Sequence, residues 1–184
     1  MKSKIGLIAI CVPLLGLAMQ AQFPKEAPKP GPEVNRLAYF VGNWKITGKY
    51  LMHGKSVPMM ATQRWEWMPG KVSIIQHADS RSPLGIFKTM AVMRYDRDAK
   101  MYIYNEFDST GGAVTSRGTV SGDTWTWTSD MMDGKSTKSW VTIKEISKTQ
   151  CTFTLETSPD GSTWTPGIES TLAKVTTKSA VHRE

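Results

Sequence analysis

The chain reads as an all-β protein: a single antiparallel up-and-down β-barrel of about ten strands, preceded by one short helix. Three observations lead there. Beyond residue 42 no segment keeps a helical period, while clusters of turn-forming residues recur at intervals of about ten to fifteen residues. The segments between them alternate in character with a period of two, as half-buried strands do. The first of these segments opens on Gly42-Asn43-Trp44, directly after a stretch with helical spacing.

Taken in order, the chain begins with a segment that is not part of the barrel. Lys2 and Lys4 give a basic start, Ile5 to Met19 is almost uninterruptedly apolar, and Ala18 and Ala21 supply small residues at its end. This is the pattern of a secretory signal peptide over residues 1–21, too short and too near the terminus for a membrane span. A lipidated leader ending at Cys11 would need a small residue ahead of the cysteine, which Ile8-Ala9-Ile10 does not provide. Cleavage after Ala21 leaves 163 of the 184 residues, enough for one domain, and no transmembrane anchor. The expected location is secreted or periplasmic. Only Cys151 survives that cleavage, so no intramolecular disulfide can form and stability has to come from packing and strand pairing.

Residues 22–32 follow as a proline-rich tether, since Gln22 to Glu33 carries four prolines in twelve residues and can sustain neither helix nor ladder. The barrel domain spans residues 33–176, and residues 177–184 form a tail. Leu37, Phe40 and Val41 recur at helical spacing, which predicts a helix from Glu33 to Val41 closed by Gly42. Lying over one end of the barrel, it would bury Leu37 and Phe40. Nine turn clusters come next, at Gly54, Pro69-Gly70, Pro83-Leu84, Arg97, Gly111-Gly112, Gly122, Asp133-Gly134, Lys148 and Asp160-Gly161. Nine turns imply ten strands, and for ten antiparallel strands in about 130 residues closure is the solution that removes both edges.

Within the strands, Trp125 and Trp127 share a face opposite Thr124, Thr126 and Thr128. Tyr102 and Tyr104 alternate with Ile103 and Asn105, and Gln63, Trp65 and Trp67 with Thr62, Arg64 and Glu66. The period alone does not say which face is inward. Composition excludes more than it selects. Basic residues outnumber acids by 21 to 16 after cleavage, an excess that permits anionic partners without demanding them. The lysines are dispersed, and secretion separates the chain from intracellular nucleic acid, so a nucleic-acid role is not expected. There is no Gly-x-Ser-x-Gly, phosphate-binding glycine loop or His-x-x-x-His; the methionines are scattered as core filler is, and Cys151 reads as a packed thiol.

Leu37-Ala38-Tyr39-Phe40-Val41-Gly42-Asn43-Trp44, then Trp65-Glu66-Trp67 before Pro69-Gly70-Lys71, and Tyr95-Asp96 ahead of Tyr102, resemble a bacterial family of unknown function. Its members are expected to form calycin-like barrels, related in shape to lipocalins, fatty-acid-binding proteins and the haem-binding nitrobindins. The resemblance covers roughly Glu33 to Lys174 and implies a lipocalin-like fold and small-ligand binding, not an activity. In such barrels a Gly-x-Trp plugs the closed end and a basic side chain of the last strand covers the indole, a role the resemblance assigns here to Gly42, Trp44 and Lys174, with Lys178 as the alternative cation.

The expected partner is a small apolar or amphipathic molecule held without catalysis. Candidate ligand contacts are Arg64, Arg94 and Arg117, which lie mid-strand where an inward guanidinium would hold a carboxylate as in fatty-acid-binding barrels. Tyr102, Tyr104, Trp125, Trp127 and Trp140 are candidate walls. No cofactor is required, and haem is the specific alternative, with His77 and His182 as candidate ligands. Two further readings remain: an enzyme at the barrel mouth using Glu66, Glu106 or Arg117, and a filled barrel serving as an envelope or interaction protein. A void inside the barrel separates the first two classes from the last.

Overall fold

In the computed structural model, which describes residues 29–52, 54–130 and 137–175, ten strands follow one another around a closed barrel. The expected signal peptide, most of the proline-rich tether, His53, the turn at Asp133-Gly134, and the tail with His182 lie outside the described residues. The strands are β1 (Gly42–Met52), β2 (Lys55–Trp67), β3 (Ser73–Ser82), β4 (Gly85–Asp96), β5 (Met101–Asp108), β6 (Ala113–Ser121), β7 (Thr124–Asp130), β8 (Lys138–Ser147), β9 (Gln150–Ser158) and β10 (Thr165–Lys174). Each pairs antiparallel with the next, and β10 returns to pair with β1. Every connection within the described residues falls on one of the turn clusters marked by the sequence. Pro58, which has no N–H to give a ladder, lies in the part of β2 that extends past β3, whose pairing begins at Met60.

The helix is shorter than its spacing suggests. α1 covers Pro32–Arg36, tightens into a 3-10 turn over Leu37–Tyr39, and stops before Val41. Five residues cannot hold a helix alone, so docking sustains it. Leu37 is fully buried and Phe40 nearly so. Arg36 donates to the Gly122 carbonyl, and the Tyr39 hydroxyl reaches the carbonyls of Ser147 and Gln150. These groups belong to the β6–β7 and β8–β9 turns, so the helix lies across that end of the barrel. Gly42 then takes φ +126°, a conformation that L side chains rarely adopt, and turns the chain into β1.

Register settles the question of faces. Trp44 and Ile46 of β1 point inward, opposite Gln63 and Ala61 of β2; Ile74 and Gln76 of β3 meet Met93 and Ala91 of β4; Tyr102 and Tyr104 of β5 meet Gly118 and Ser116 of β6. The aromatic faces are therefore the inner ones, and the threonine faces are outside. At the helix end this packs a floor of Leu37, Phe40, Trp44, Trp65, Tyr102 and Trp125. Phe40 and Tyr102 each meet Trp125 edge-on, at 4.9 and 4.8 Å between centroids, contacts that contribute roughly 0.5–1.5 kcal/mol each beyond burial.

The wall is tight where Gly118 lies against Trp127. A Cβ built on Gly118 would sit 2.4 Å from the Trp127 ring and 2.8 Å from the Thr126 carbonyl oxygen. Gly118→Ala is therefore expected to cost about 1–3 kcal/mol, because the backbone side of the clash cannot yield. A urea midpoint unchanged from wild type would overturn this account of the packing.

Candidate functional site

Above the floor the barrel is not filled. A cavity of about 240 Å³ lies between Phe40, Trp65 and Leu172 below and Thr89, Val114 and Ser139 nearer the opposite end, somewhat under the roughly 300–1,000 Å³ usual for ligand pockets. Its wall is mostly apolar, with Met93, Trp127, Val141, Ile143, Phe153 and Leu155 contributing.

Three polar side chains on neighbouring strands form one network in that wall. Tyr104 and Glu106, two apart on β5, share its inner face, and Gln76 projects from β3 across β4. The Tyr104 hydroxyl lies 2.6 Å from Gln76 Oε1 and 2.5 Å from Glu106 Oε2. One hydroxyl carries one proton. The contacts are satisfied when Tyr104 donates to Gln76 while a protonated Glu106 donates to Tyr104. They are equally satisfied when an ionised Glu106 accepts the hydrogen bond of the phenol O–H and Gln76 turns its amide nitrogen to donate to the phenol oxygen. Burial, reinforced by Glu106, keeps the Tyr104 hydroxyl far above its usual range and hence neutral. Burial also raises the Glu106 carboxyl above the ordinary carboxylate range; the Tyr104 hydrogen bond pulls the other way and Asp108 adds to the rise.

Two cations enter the closed end and are taken up there. Lys174 Nζ stands 5.0 Å over the Trp44 ring and 5.7 Å over Tyr39. Arg36 stacks 5.3 Å over Trp125 and pairs with Glu145 at 2.7 Å, while Trp125 Nε1 donates to the same carboxylate oxygen at 2.7 Å. Cys151 is buried beside Tyr39, and burial pushes its thiol up to about 11, so it is a poor nucleophile.

The structure brings Tyr104 and Trp127 to the cavity wall and sets Tyr102 and Trp125 in the floor. It corrects the expected position of the arginines. Arg64, Arg94 and Arg117 all stand on the outer wall, because Gln63 and Trp65, Met93, and Ser116 hold the adjacent inward positions. Arg64 pairs there with Glu66 at 3.2 Å and Arg94 with Asp96 at 2.9 Å, while Arg117 is exposed. Trp140 is also outside, 39% exposed and edge-on to Trp164, since its neighbours Ser139 and Val141 face in. His77 lies on the outer face of β3 between Arg64 and Met90, so it cannot ligate a haem inside the barrel. The mouth-enzyme set disperses as well: Glu66 and Arg117 are outside and Glu106 inside. Among the described residues no group of three or more His, Cys, Asp or Glu side chains could hold a metal ion.

Gln76, Arg36 and Glu145 were not singled out from the sequence, and Glu106 only as a reacting acid. The signal for Glu106 was present: an acid two residues beyond Tyr104 on a strand whose tyrosine face turns inward.

Closed ten-strand barrel, aromatic floor, helix across one end and internal cavity define a calycin-like barrel. Residues 29–174 match the DUF1579 family, described as a protein of unknown function, and the chain belongs to that family. No curated protein matches the chain. Among solved structures, it is similar to Rv2717c from M. tuberculosis, at 11% identity and a TM-score of 0.58 over 79% of this chain and 99% of that one. It is also similar to the S-type phycobiliprotein lyase CPES from Guillardia theta, at 11% identity and a TM-score of 0.59 over 78% of this chain and 93% of that one. At that identity the likeness is one of fold alone.

A buried acid whose proton is held more tightly in the folded chain favours folding while it is protonated. As pH rises through the ordinary carboxylate range toward the raised folded value, the unfolded chain releases its proton first and this stability is lost. Glu106→Gln removes that loss. Its melting temperature is expected to exceed that of wild type at about pH 8, with the gap closing toward about pH 4. A variant less stable than wild type by the same amount at both would show that the carboxyl is not held protonated by burial.

Proposed function

We propose that the protein is a non-catalytic carrier that holds one small apolar or amphipathic molecule inside its barrel. The observation that carries this reading is the void itself: a mostly apolar, aromatic-walled cavity above a sealed floor, with its carboxyl joined to Tyr104 and Gln76 in one network. A filled barrel serving only as an interaction surface has no use for such a space. A catalytic reading would need reacting groups brought together, and the acids and arginine considered for one face opposite sides of the wall. We further propose that the carrier works outside the cytoplasm after residues 1–21 are removed, on the strength of the basic, apolar and small-residue order of that segment. No helix among the described residues is long and apolar enough to cross a membrane.

Native mass spectrometry of gently purified protein is expected to show a bound small molecule, and the mass of the chain to lack the first 21 residues. Recovery of empty protein, with no binding across a broad lipid and haem screen, would count against the carrier. Filling the void gives an independent check. Val114→Trp is expected to weaken binding of the neutral dye N-phenyl-1-naphthylamine by about tenfold or more with unchanged circular dichroism, since the new ring takes the space the dye needs. Equal dye affinity in the two proteins would place the dye elsewhere.

A further inference from the structure

The cavity has a chemical sign. Among the described residues lining it there is no Lys, Arg or His, and its one carboxyl group is Glu106. Among the described residues that group has no cationic partner: their ion pairs involve Arg36, Lys49, Arg64, Lys88 and Arg94 with other acids. Both cations of the closed end are separated from it by the aromatic floor and are already engaged with Glu145, Trp125, Trp44 and Tyr39. Across the ladder Glu106 faces Ala91 and Val114, neither of which offers a hydrogen bond from its side chain. Asp108, the next inward position toward the mouth, accepts from Thr110 and Gly112, which hold its carboxyl below the ordinary range and so keep it negative.

The rings around Glu106 suit the same guest. Trp65 and Trp127 flank Tyr104, with ring centroids 6.3 and 6.1 Å from it. All three rings line the cavity beside the carboxyl. Aromatic faces carry negative potential and attract ammonium groups, most strongly where water is excluded. A buried carboxylate without a cation is unfavourable by itself and becomes favourable when a ligand supplies the charge.

Resting on the carrier reading, we infer that the barrel selects an organic cation: an amine with an apolar body, its ammonium group held by Glu106 and by the faces of Trp65, Tyr104 and Trp127. An anionic lipid, which inward arginines would have received, is disfavoured by the same carboxyl. The amine enters protonated, and the Glu106 proton is released to water, leaving Glu106 ionised, Tyr104 donating to it and Gln76 turning its amide nitrogen to the phenol oxygen.

The test uses the full mature chain and three probes that share an eight-carbon tail, namely octylamine, 1-octanol and octanoate, titrated at neutral pH by calorimetry or tryptophan fluorescence. Wild type is expected to bind octylammonium about tenfold or more tighter than octanoate, with octanol between them. Glu106→Gln is expected to lose most of the amine preference while keeping its affinity for octanol. Octanoate binding as tightly as octylammonium to wild type overturns the inference and needs no variant. So does a preference for the amine that survives Glu106→Gln. If octanol binds and the amine is not preferred, the carrier reading stands and only the cation fails. If none of the three binds, the cation inference fails, and the native mass spectrum and the broad screen decide the carrier reading separately.

Discussion

The β1–β10 seam is where the molecule is decided. Ten strands in a row would leave two open edges, and pairing Trp44 through Tyr50 with Lys174 back to Ile168 closes them. Trp44 stands on that seam, opposite Lys174 on one side and Gln63 on the other, and its indole N–H donates to the Phe40 carbonyl at 2.6 Å. One side chain thus ties the first strand, the last strand and the end of the helix. The short helix stays in place because the floor it covers exists, and the floor exists because the sheet has closed. With no disulfide among the described residues, this interlock of ladder and aromatic packing supplies what a cross-link would otherwise supply.

Closure also gives each side chain one of two fates. Inside a barrel the wall is shared by every strand, so an inward residue meets partners from across the ring, and an outward one meets only its ladder neighbours and water. Most of the chain follows this: Trp44, Trp65, Tyr102, Tyr104, Trp125 and Trp127 take inner positions and most charges outer ones, while Met60, Ile86, Phe107 and Trp140 stand exposed on the outside. Two polar clusters within the ring are partnered. Arg36 and Glu145 pair beneath the floor; Tyr104, Gln76 and Glu106 pair above it. Glu106 is the exception that burial disfavours. An acid held in an apolar wall without a cation lowers stability at neutral pH, a feature proteins retain where binding uses it.

The hairpin plan was readable because turn chemistry is local: a glycine that must take positive φ, or a proline that cannot donate, marks its own position without help from the rest of the chain. Gly54, Gly70, Gly85, Gly111, Gly122 and Gly161 all take positive φ at the connections or strand starts where turns were expected. The arginines were misplaced for the converse reason. Arg64 and Trp65 are neighbours on one strand, and alternation says only that they face opposite ways. Which of them is inside depends on where β1 and β3 lie. The same ambiguity hid the network, since Gln76 and Tyr104 are 28 residues apart and meet only because β4 brings their strands together.

By itself, then, the order of residues determined an all-β chain of ten hairpin-linked strands, a helix before Gly42, and a tryptophan suited to closing one end, because each of these follows from short-range preferences or from a period of two. The tertiary structure alone decided that the floor stops below Trp127, leaving a void, and that the group facing this void is a carboxyl and not a guanidinium. Neither can be read along the chain. A cavity is a mismatch between the ring set by strand number and tilt and the volumes of side chains drawn from every strand. The sign of its wall hangs on a one-residue parity that only the closed ladder fixes.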